Sequence, residues 1–498
     1  MKSTRCTILV TGLLVLAASL LPAPRAQAQA APGPFPLAAE GESFAAREMS
    51  AFARGSLASF TTFELSNGLP VVVKRNPANR VQHLSLVIRG GSLAATAATA
   101  GYESLALKTM ARGSAKYSYE DIQSLLDETS SGIGSESNFE YSAYTLNTLD
   151  KYFDRLFPVW ADTLTAPSFQ EDGFAQELSQ AKLALQSKEQ NPWAKTGLVI
   201  NDIFFEGHPY AVAPEGTKES LGAATLDAIR SWYGSSMRAG SLFVVAVGDF
   251  DPAELRQRLE AALGGLPPGG ERLPPPAPAF ARSGPGTLAS HDFPASKGIG
   301  YVRGDFAAPA PSDEDFMAAN LAMKVLSDLM FSVVRDKYGA TYSPGAYIRA
   351  FGANYGSLTI YRTKVPGKVK AYIDESVSLL AKGLAMSTDP TMPDDGAGRV
   401  SLADVMDSYK AQYVNELYEK QQTNAAVAAR VAQSVVAYGD YRTWLLDPDR
   451  IAAVTAEQVT EVTKKYLLDA SIAWVALGSA DVLIPVSTVD YEGFDLER

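Results

Sequence analysis

Thiol chemistry is almost excluded: the only cysteine among 498 residues is Cys6, close to the N-terminus. If the segment that holds it is removed, no disulfide, thiolate nucleophile or thiolate-bound metal can form. Histidine is nearly as scarce. The chain has His83, His208 and His291, far apart in sequence, and no two are four residues apart. One helix face therefore cannot present a histidine pair to a metal. Positive charge is also short, with 44 Lys and Arg against 55 Asp and Glu and a formal net charge of −11. That balance argues against nucleic acid or an anionic membrane surface as a partner.

The one long apolar run near the start, Ile8 to Leu21, is short for a membrane span. Lys2 and Arg5 precede it, and Ala26-Gln27-Ala28 and Ala28-Gln29-Ala30 follow as small-x-small cleavage sites. This is the pattern of a secretory signal peptide over residues 1–30. Losing Lys2, Arg5 and Arg25 takes the formal charge from −11 to −14. A secreted, cysteine-free, acidic chain with no membrane span after leader removal is expected in a bacterial periplasm.

What remains has the composition of an ordinary globular protein, 46% hydrophobic and 20% charged, long enough for two to four domains. The stretch Gly264 to Gly286 (GGLPPGGERLPPPAPAFARSGPG) is dense in proline and glycine and reads as an extended linker. It separates a half at 31–263 from a half at 287–498. Each half ends on the same pattern. Thr225 to Tyr233 has helical apolar spacing and precedes the strand-like Ser241 to Gly248; Thr455 to Tyr466 precedes Ser471 to Gly478 in the same way. A duplicated domain follows. Phe63 to Lys74 reads as a hairpin turning at Asn67-Gly68, His83 to Arg89 as a strand, and Glu120 to Ser130, Lys151 to Leu164 and Gly173 to Lys188 as helices. The expected fold is α+β: two homologous sandwich halves, each a mixed sheet with helices on one face.

Four stretches in order carry a resemblance. They are the hairpin Asn67-Gly68-Leu69 with the strand ending Arg89-Gly90-Gly91-Ser92; Gly101-Tyr-Glu-Ser-Leu-Ala-Leu-Lys-Thr-Met-Ala-Arg-Gly113-Ser114; His208-Pro209-Tyr210 with Gly216; and Arg335-Asp-Lys-Tyr-Gly339-Ala-Thr-Tyr342. Together they resemble the pitrilysin family of zinc peptidases, which includes insulysin and the mitochondrial processing peptidase. The second stretch is similar to that family's G-L-A-H-F-L-E-H-M-x-F-x-G-T. The resemblance implies two halves that face each other in a clamshell around a chamber for an extended peptide. It also implies an inverted zinc motif, H-x-x-E-H, on a helix of the first half, completed by a glutamate from a later helix.

Carried over position by position, the two histidines become Ser104 and Lys108, the base glutamate becomes Leu107, and the distant glutamate becomes Ala184, seven residues after Glu177. A hydroxyl, an ammonium, an isobutyl and a methyl cannot hold zinc, so no metal or other cofactor is expected on this chain. Arg335 and Tyr342 match the pair that, in the family, reaches across the chamber to the bound peptide. Guanidinium and phenol both donate hydrogen bonds to a carbonyl, and arginine adds charge where an oxyanion develops. Gly339 is a helix stop between them, and the glycine-free Lys324 to Arg335 suggests a continuous helix before it.

Since the family includes heterodimers with a divided active site, the resemblance implies a non-zinc subunit, inactive alone. It would pair with a zinc-bearing homologue and bind peptide substrate through Arg335 and Tyr342 as part of a metalloendopeptidase. The other reading is an inert recognition or scaffold subunit of a larger complex. A composite site from His83, His208 and His291 is the remaining route to a metal; His83 reads as a packed strand residue, and His208, before a proline, as the organiser of a loop.

Overall fold

The computed structural model describes residues 50–270, 277–280, 288–389 and 391–483. The leader expected over 1–30 lies outside the described residues, as do 271–276 and 281–287 of the proline-rich stretch. Six strands form one sheet: β1 (Phe60–Glu64), β2 (Pro70–Arg75), β3 (Val81–Arg89), β4 (Gly132–Ser137), β5 (Tyr141–Leu149) and β6 (Leu242–Gly248), in the spatial order β1-β2-β6-β3-β5-β4. A second sheet uses β7 (Leu288–Asp292), β8 (Gly300–Ala307), β9 (Ser343–Ile348) and β10 (Tyr355–Thr363). After the small hairpin of β11 (Leu384–Met386) and β12 (Arg399–Ser401), it is completed by β13 (Ala473–Gly478), giving β7-β13-β8-β10-β9.

Apart from β1, the two sheets match strand for strand. β2-β6-β3-β5-β4 corresponds to β7-β13-β8-β10-β9. In each, the first pair is parallel and the other three are antiparallel. The duplication seen in the helix-strand endings is thus a duplication of the whole sheet. The Asn67-Gly68 turn joins β1 to β2, with Glu64 opposite Pro70 and Gly68 at φ 83°, where a side chain would be strained.

Both faces of the first sheet are apolar, and successive side chains point to opposite sides. Val71, Val73, Val244 and Ala246 face a core made with the half's own helices, Tyr102–Met110, Phe153–Thr165, Leu226–Ser236 and Pro252–Leu263. Val72, Phe243, Val245 and Val247 face the other way, onto Val427, Ala428, Val431 and Val435 of the helix Asn424–Tyr438. That helix belongs to the second half of the chain. The exchange is reciprocal: Pro192–Phe204, from the first half, lies on β8 and β13 of the second sheet. Its Trp193 ring sits 5.5 Å from that of Tyr361, and Gly197 leaves room for the Arg303 guanidinium beneath it. Arg303 pairs there with the fully buried Asp305 at 2.7 Å.

The expected layer of each half's own helices on one face of its sheet is present, and the cover of the other face by a helix from the other half adds to it. A strand such as Leu242–Gly248, apolar at nearly every position, needs cover on both faces, and each half takes its second cover from the other. With each buried valine or leucine contributing about 1.5–3 kcal/mol, the exchanged helices tie the halves together.

The proline-rich stretch is also less free than its composition suggests. Residues 264–270 stay with the first half: Leu266 is buried in its core, the Gly240 N–H donates to Gly269 O at 2.8 Å, and the Asn67 amide donates to Leu263 O at 2.8 Å. In the second half the helix Phe316–Met330 continues through a π-helical turn to Lys337. Residues Phe316–Lys337 are long and apolar enough to cross a membrane, but two-thirds of the apolar window (67%) is buried inside the protein, as in the central helix of a core.

Candidate functional site

The helix Tyr102–Met110 begins at Gly101, at φ 80°. A Cβ there would come within 2.6 Å of the Cα of Gly216. Two of the four motif stretches therefore meet backbone to backbone, a contact only glycine permits. The helix is buried at Tyr102, Glu103, Leu105, Ala106, Leu107, Thr109 and Met110. Its one open stripe carries Ser104, half-buried, and Lys108, exposed, four residues apart on one face. Ala184 is exposed on the neighbouring helix Glu171–Gln190, which is pinned to this region by a buried Arg112–Glu177 ion pair of 2.9 Å. That helix starts at Glu171, two residues before the Gly173 expected from the sequence, and places Glu177 in its second turn.

The open stripe is where a helix could present metal ligands, and the residues present do not fit one. Lys108 places a cation there, and Ala184 has no lone pair. Leu107, at the position of a general base, is fully buried in the first core. Among the described residues no group of three or more His, Cys, Asp or Glu side chains could hold a metal ion. Two of the three histidines are held by separate partners. His83 is buried in β3, bonded to Ser85 Oγ at 2.8 Å, and burial lowers its pKa to about 4. His208 receives the Tyr210 N–H at Nδ1, pairs its Nε2 with Pro278 O at 2.8 Å, and stacks on Phe280 with ring centroids 4.1 Å apart. It organises its loop, as expected, and fastens the proline-rich stretch as well. His291 lies in β7.

Tyr210, two residues on, joins the halves. Its phenol donates to Glu140 Oε1 at 2.7 Å and accepts from the Ala353 N–H at 3.3 Å, while the Gly352 N–H donates to the same carboxylate oxygen at 2.6 Å. Burial pushes the Glu140 carboxyl up, and these two donors partly offset it.

Arg335 and Tyr342 flank a sharp helix end. The π-helical turn Phe331–Lys337 closes with Gly339 N–H on Arg335 O at 2.8 Å and Ala340 N–H on Val334 O at 2.9 Å, with Gly339 at φ 60°. This is the glycine stop the sequence indicated, but the π turn was not foreseen; such turns occur often at functional sites. Tyr342 comes just before β9. The Arg335 guanidinium carbon lies 4.2 Å from the Phe331 ring centroid and 4.3 Å from that of Tyr342. Two aromatic faces thus hold the cation. Its nearest carboxylate is Asp336, at 3.9 Å, beyond hydrogen-bond reach. Among the described residues the guanidinium makes no hydrogen bond, so its donors are positioned and uncommitted. Tyr342 is 75% exposed. Beside it opens a cavity of about 660 Å³ whose lining includes Tyr338, Tyr361, Arg362 and Lys364. Arg362 sits in the left-handed region, φ 64°, where the β8–β10 register shifts between Ile360 and Thr363.

The sequence reading passed over Glu103. It looked like an acid in the first turn of a helix, where such residues are usually solvated. It is buried, its Oε1 has no protein partner, and burial lifts its carboxyl to about 7, against a weaker pull from the Ser142 hydroxyl that faces it.

Residues 70–212 match the family described as Insulinase (Peptidase family M16), and residues 223–389 match the Peptidase M16 inactive domain. The chain belongs to peptidase family M16. Among M16 relatives, a non-peptidase homolog, YmxG, of Helicobacter pylori is 25% identical over 201 residues, covering 40% of this chain and 46% of that protein; the chain thus matches less than half of that relative's length. An uncharacterized zinc protease of Streptomyces coelicolor is 23% identical over 81% of this chain and 86% of its own length. The crystal structure of a peptidase M16 inactive domain from Pseudomonas fluorescens superposes with a TM-score of 0.70 at 19% identity, over 84% of this chain and 98% of that one, a likeness of fold. The M16 fold is therefore present with a helix that lacks the side chains of a metal site.

Proposed function

We propose that this M16 chain is the zinc-free subunit of a two-chain periplasmic metalloendopeptidase. A homologous partner would carry H-x-x-E-H and supply the metal, its water and the base. This chain would supply Arg335 and Tyr342. The observation that carries the reading is the state of Arg335: two rings fix its guanidinium, Asp336 stands 3.9 Å away without a hydrogen bond to it, and among the described residues its N–H donors are uncommitted, ready for an acceptor that comes from outside the chain. A peptide carbonyl bound between the subunits is such an acceptor. The guanidinium and the Tyr342 phenol would donate to its oxygen and hold the negative charge that grows there as the carbonyl carbon becomes tetrahedral.

Two further features support the reading. β4, next to the former metal helix, and β9, next to Tyr342, are both edge strands. Each has a row of backbone donors and acceptors that an extended peptide could pair with. The cavity beside Tyr342 is large enough for a side chain of such a peptide. The relative named a non-peptidase homolog fits a family member that does not cut peptides by itself.

The test is Arg335→Ala and Tyr342→Phe, each assembled with the zinc-bearing homologue. Turnover should fall by about 10²–10³-fold for the arginine while the complex elutes at its normal size. Full activity in both variants rejects the proposal. It would leave this chain as a recognition or scaffold subunit, with the pair as a remnant.

A further inference from the structure

A second cavity, of about 320 Å³, lies in the first half between the start of the helix Tyr102–Met110, the β4–β5 hairpin and the helix Leu226–Ser236. Its lining includes Glu103, Ser92, Ser137, Ser142 and Trp232. Four of these contribute buried oxygens: Ser92 Oγ and Ser137 Oγ have no protein hydrogen-bond partner, and Glu103 Oε1 and Ser142 Oγ have none beyond a weak approach of the Ser142 hydroxyl to the Glu103 carboxyl. Glu103, Ser92 and Ser142 are themselves nine-tenths or more buried. Burying unpartnered polar atoms is costly, of order 1–3 kcal/mol each, and four unpartnered or weakly partnered ones around one cavity are far from the usual pattern. Ser104, Leu107, Lys108 and Ala184 do not line it, so this is not the emptied metal position.

The lining selects the occupant. No Lys, Arg or His side chain is part of it, so an anion has nothing to pair with. The one ionisable side chain is the Glu103 carboxyl, in the first helical turn; burial favours its neutral form while the cavity holds no cation, and a cation beside it would favour the carboxylate. Around it stand hydroxyl oxygens able to accept, and the Trp232 indole adds an aromatic wall. Four acceptors around one negative charge suit a group with several N–H donors and one positive charge. In the family pattern quoted above this position is alanine, so the carboxylate is a feature of this chain.

We propose that this cavity binds a primary ammonium group, either of a small free amine or of a lysine side chain. Glu103 makes the ion pair, the three serines accept hydrogen bonds and Trp232 packs on the alkyl stem. The site is independent of the metal partner and needs only this chain.

The test is titration of the purified full chain with n-pentylamine, n-pentanol and Nα-acetyl-lysine methylamide, followed by calorimetry and Trp fluorescence. Saturable binding of pentylamine but not of pentanol is expected. Binding should weaken by about tenfold or more in Glu103→Gln, which removes the charge-assisted bond, and vanish in Ala228→Phe, which fills the cavity and leaves Glu103 in place. Should Glu103→Gln fail to fold, Ala228→Phe decides. Binding of both amines supports the site with lysine as a source; binding of pentylamine alone supports it with small amines as the source. Absence of saturable amine binding, equal binding of pentanol, or binding unchanged in both variants overturns the proposal.

Discussion

The helix Tyr102–Met110 in the first half and the turn Phe331–Tyr342 in the second have fared in opposite ways. On the first, Leu107, which the family resemblance sets at the position of a general base, is fully buried in the core of the first half. The ligand stripe has kept its geometry and lost its chemistry, with Ser104 and Lys108 still four residues apart on the one open face. On the second, Val334 and Ala340 enter the core while Arg335 and Tyr342 stay outside it. Arg335 is clasped by rings and Tyr342 projects into solvent. A leucine in a core is paid back by burial, whereas an exposed tyrosine beside an arginine whose donors make no hydrogen bond among the described residues has no such return. The contrast is between a helix whose side chains serve the core and a turn whose Arg335 and Tyr342 do not.

Ways to break that contrast can be ranked by size. The largest effect is Leu107→Glu, which would restore the residue type of a base. In this core the carboxyl has no partner, and the loss of leucine packing adds to its burial, at a cost of at least about 3 kcal/mol. Chemical denaturation should show the drop, and the variant should gain no metal. A stable Leu107→Glu protein would mean the helix is still poised as a catalytic surface. Next comes the fall in turnover for Arg335→Ala in the assembled complex, set against unchanged stability of the isolated chain, since the guanidinium makes no hydrogen bond among the described residues.

A pH effect follows from Glu103. Its carboxyl is lifted from the ordinary 4.5 to about 7, so the folded chain holds a proton that the unfolded chain releases. The stability it confers is present below about 4.5 and is lost as pH rises through about 7, up to about 3 kcal/mol in all. Thermal melts of the wild type and Glu103→Gln should therefore diverge in the variant's favour between pH 5 and pH 8. Parallel curves would show the carboxyl to be solvated. The smallest effect is expected for His208→Ala, which removes the bond to Pro278 and the stack on Phe280. About 1 kcal/mol is at stake, and limited proteolysis near residues 271–287 should speed up with little change in the melting of the two cores.

Much of this was legible along the chain, and what was not has a common cause. Asn67-Gly68 and Gly339 announce their turns because only certain residues tolerate their backbone angles. The two helix-strand endings at Thr225 and Thr455 reveal the duplication because each is a local pattern. The exchange of Pro192–Phe204 and Asn424–Tyr438 between halves was not visible. An amphipathic helix states that it needs a partner and not which one, and the need of the all-apolar Leu242–Gly248 for cover on both faces did not enter the expectation of helices on one face. Arg335 and Tyr342 stood out only through the family resemblance that the stretch Arg335 to Tyr342 carries. Glu103 did not, because its burial depends on β4, β5 and the helix Leu226–Ser236, all distant in sequence.

The most direct measurement is peptide cleavage by this chain alone, by its zinc-bearing homologue alone, and by the two mixed. A divided active site predicts cleavage in the mixture and none by this chain alone, with the homologue alone far below the mixture. Equal rates for the homologue alone and the mixture, or metal-dependent cleavage by this chain alone, would contradict it.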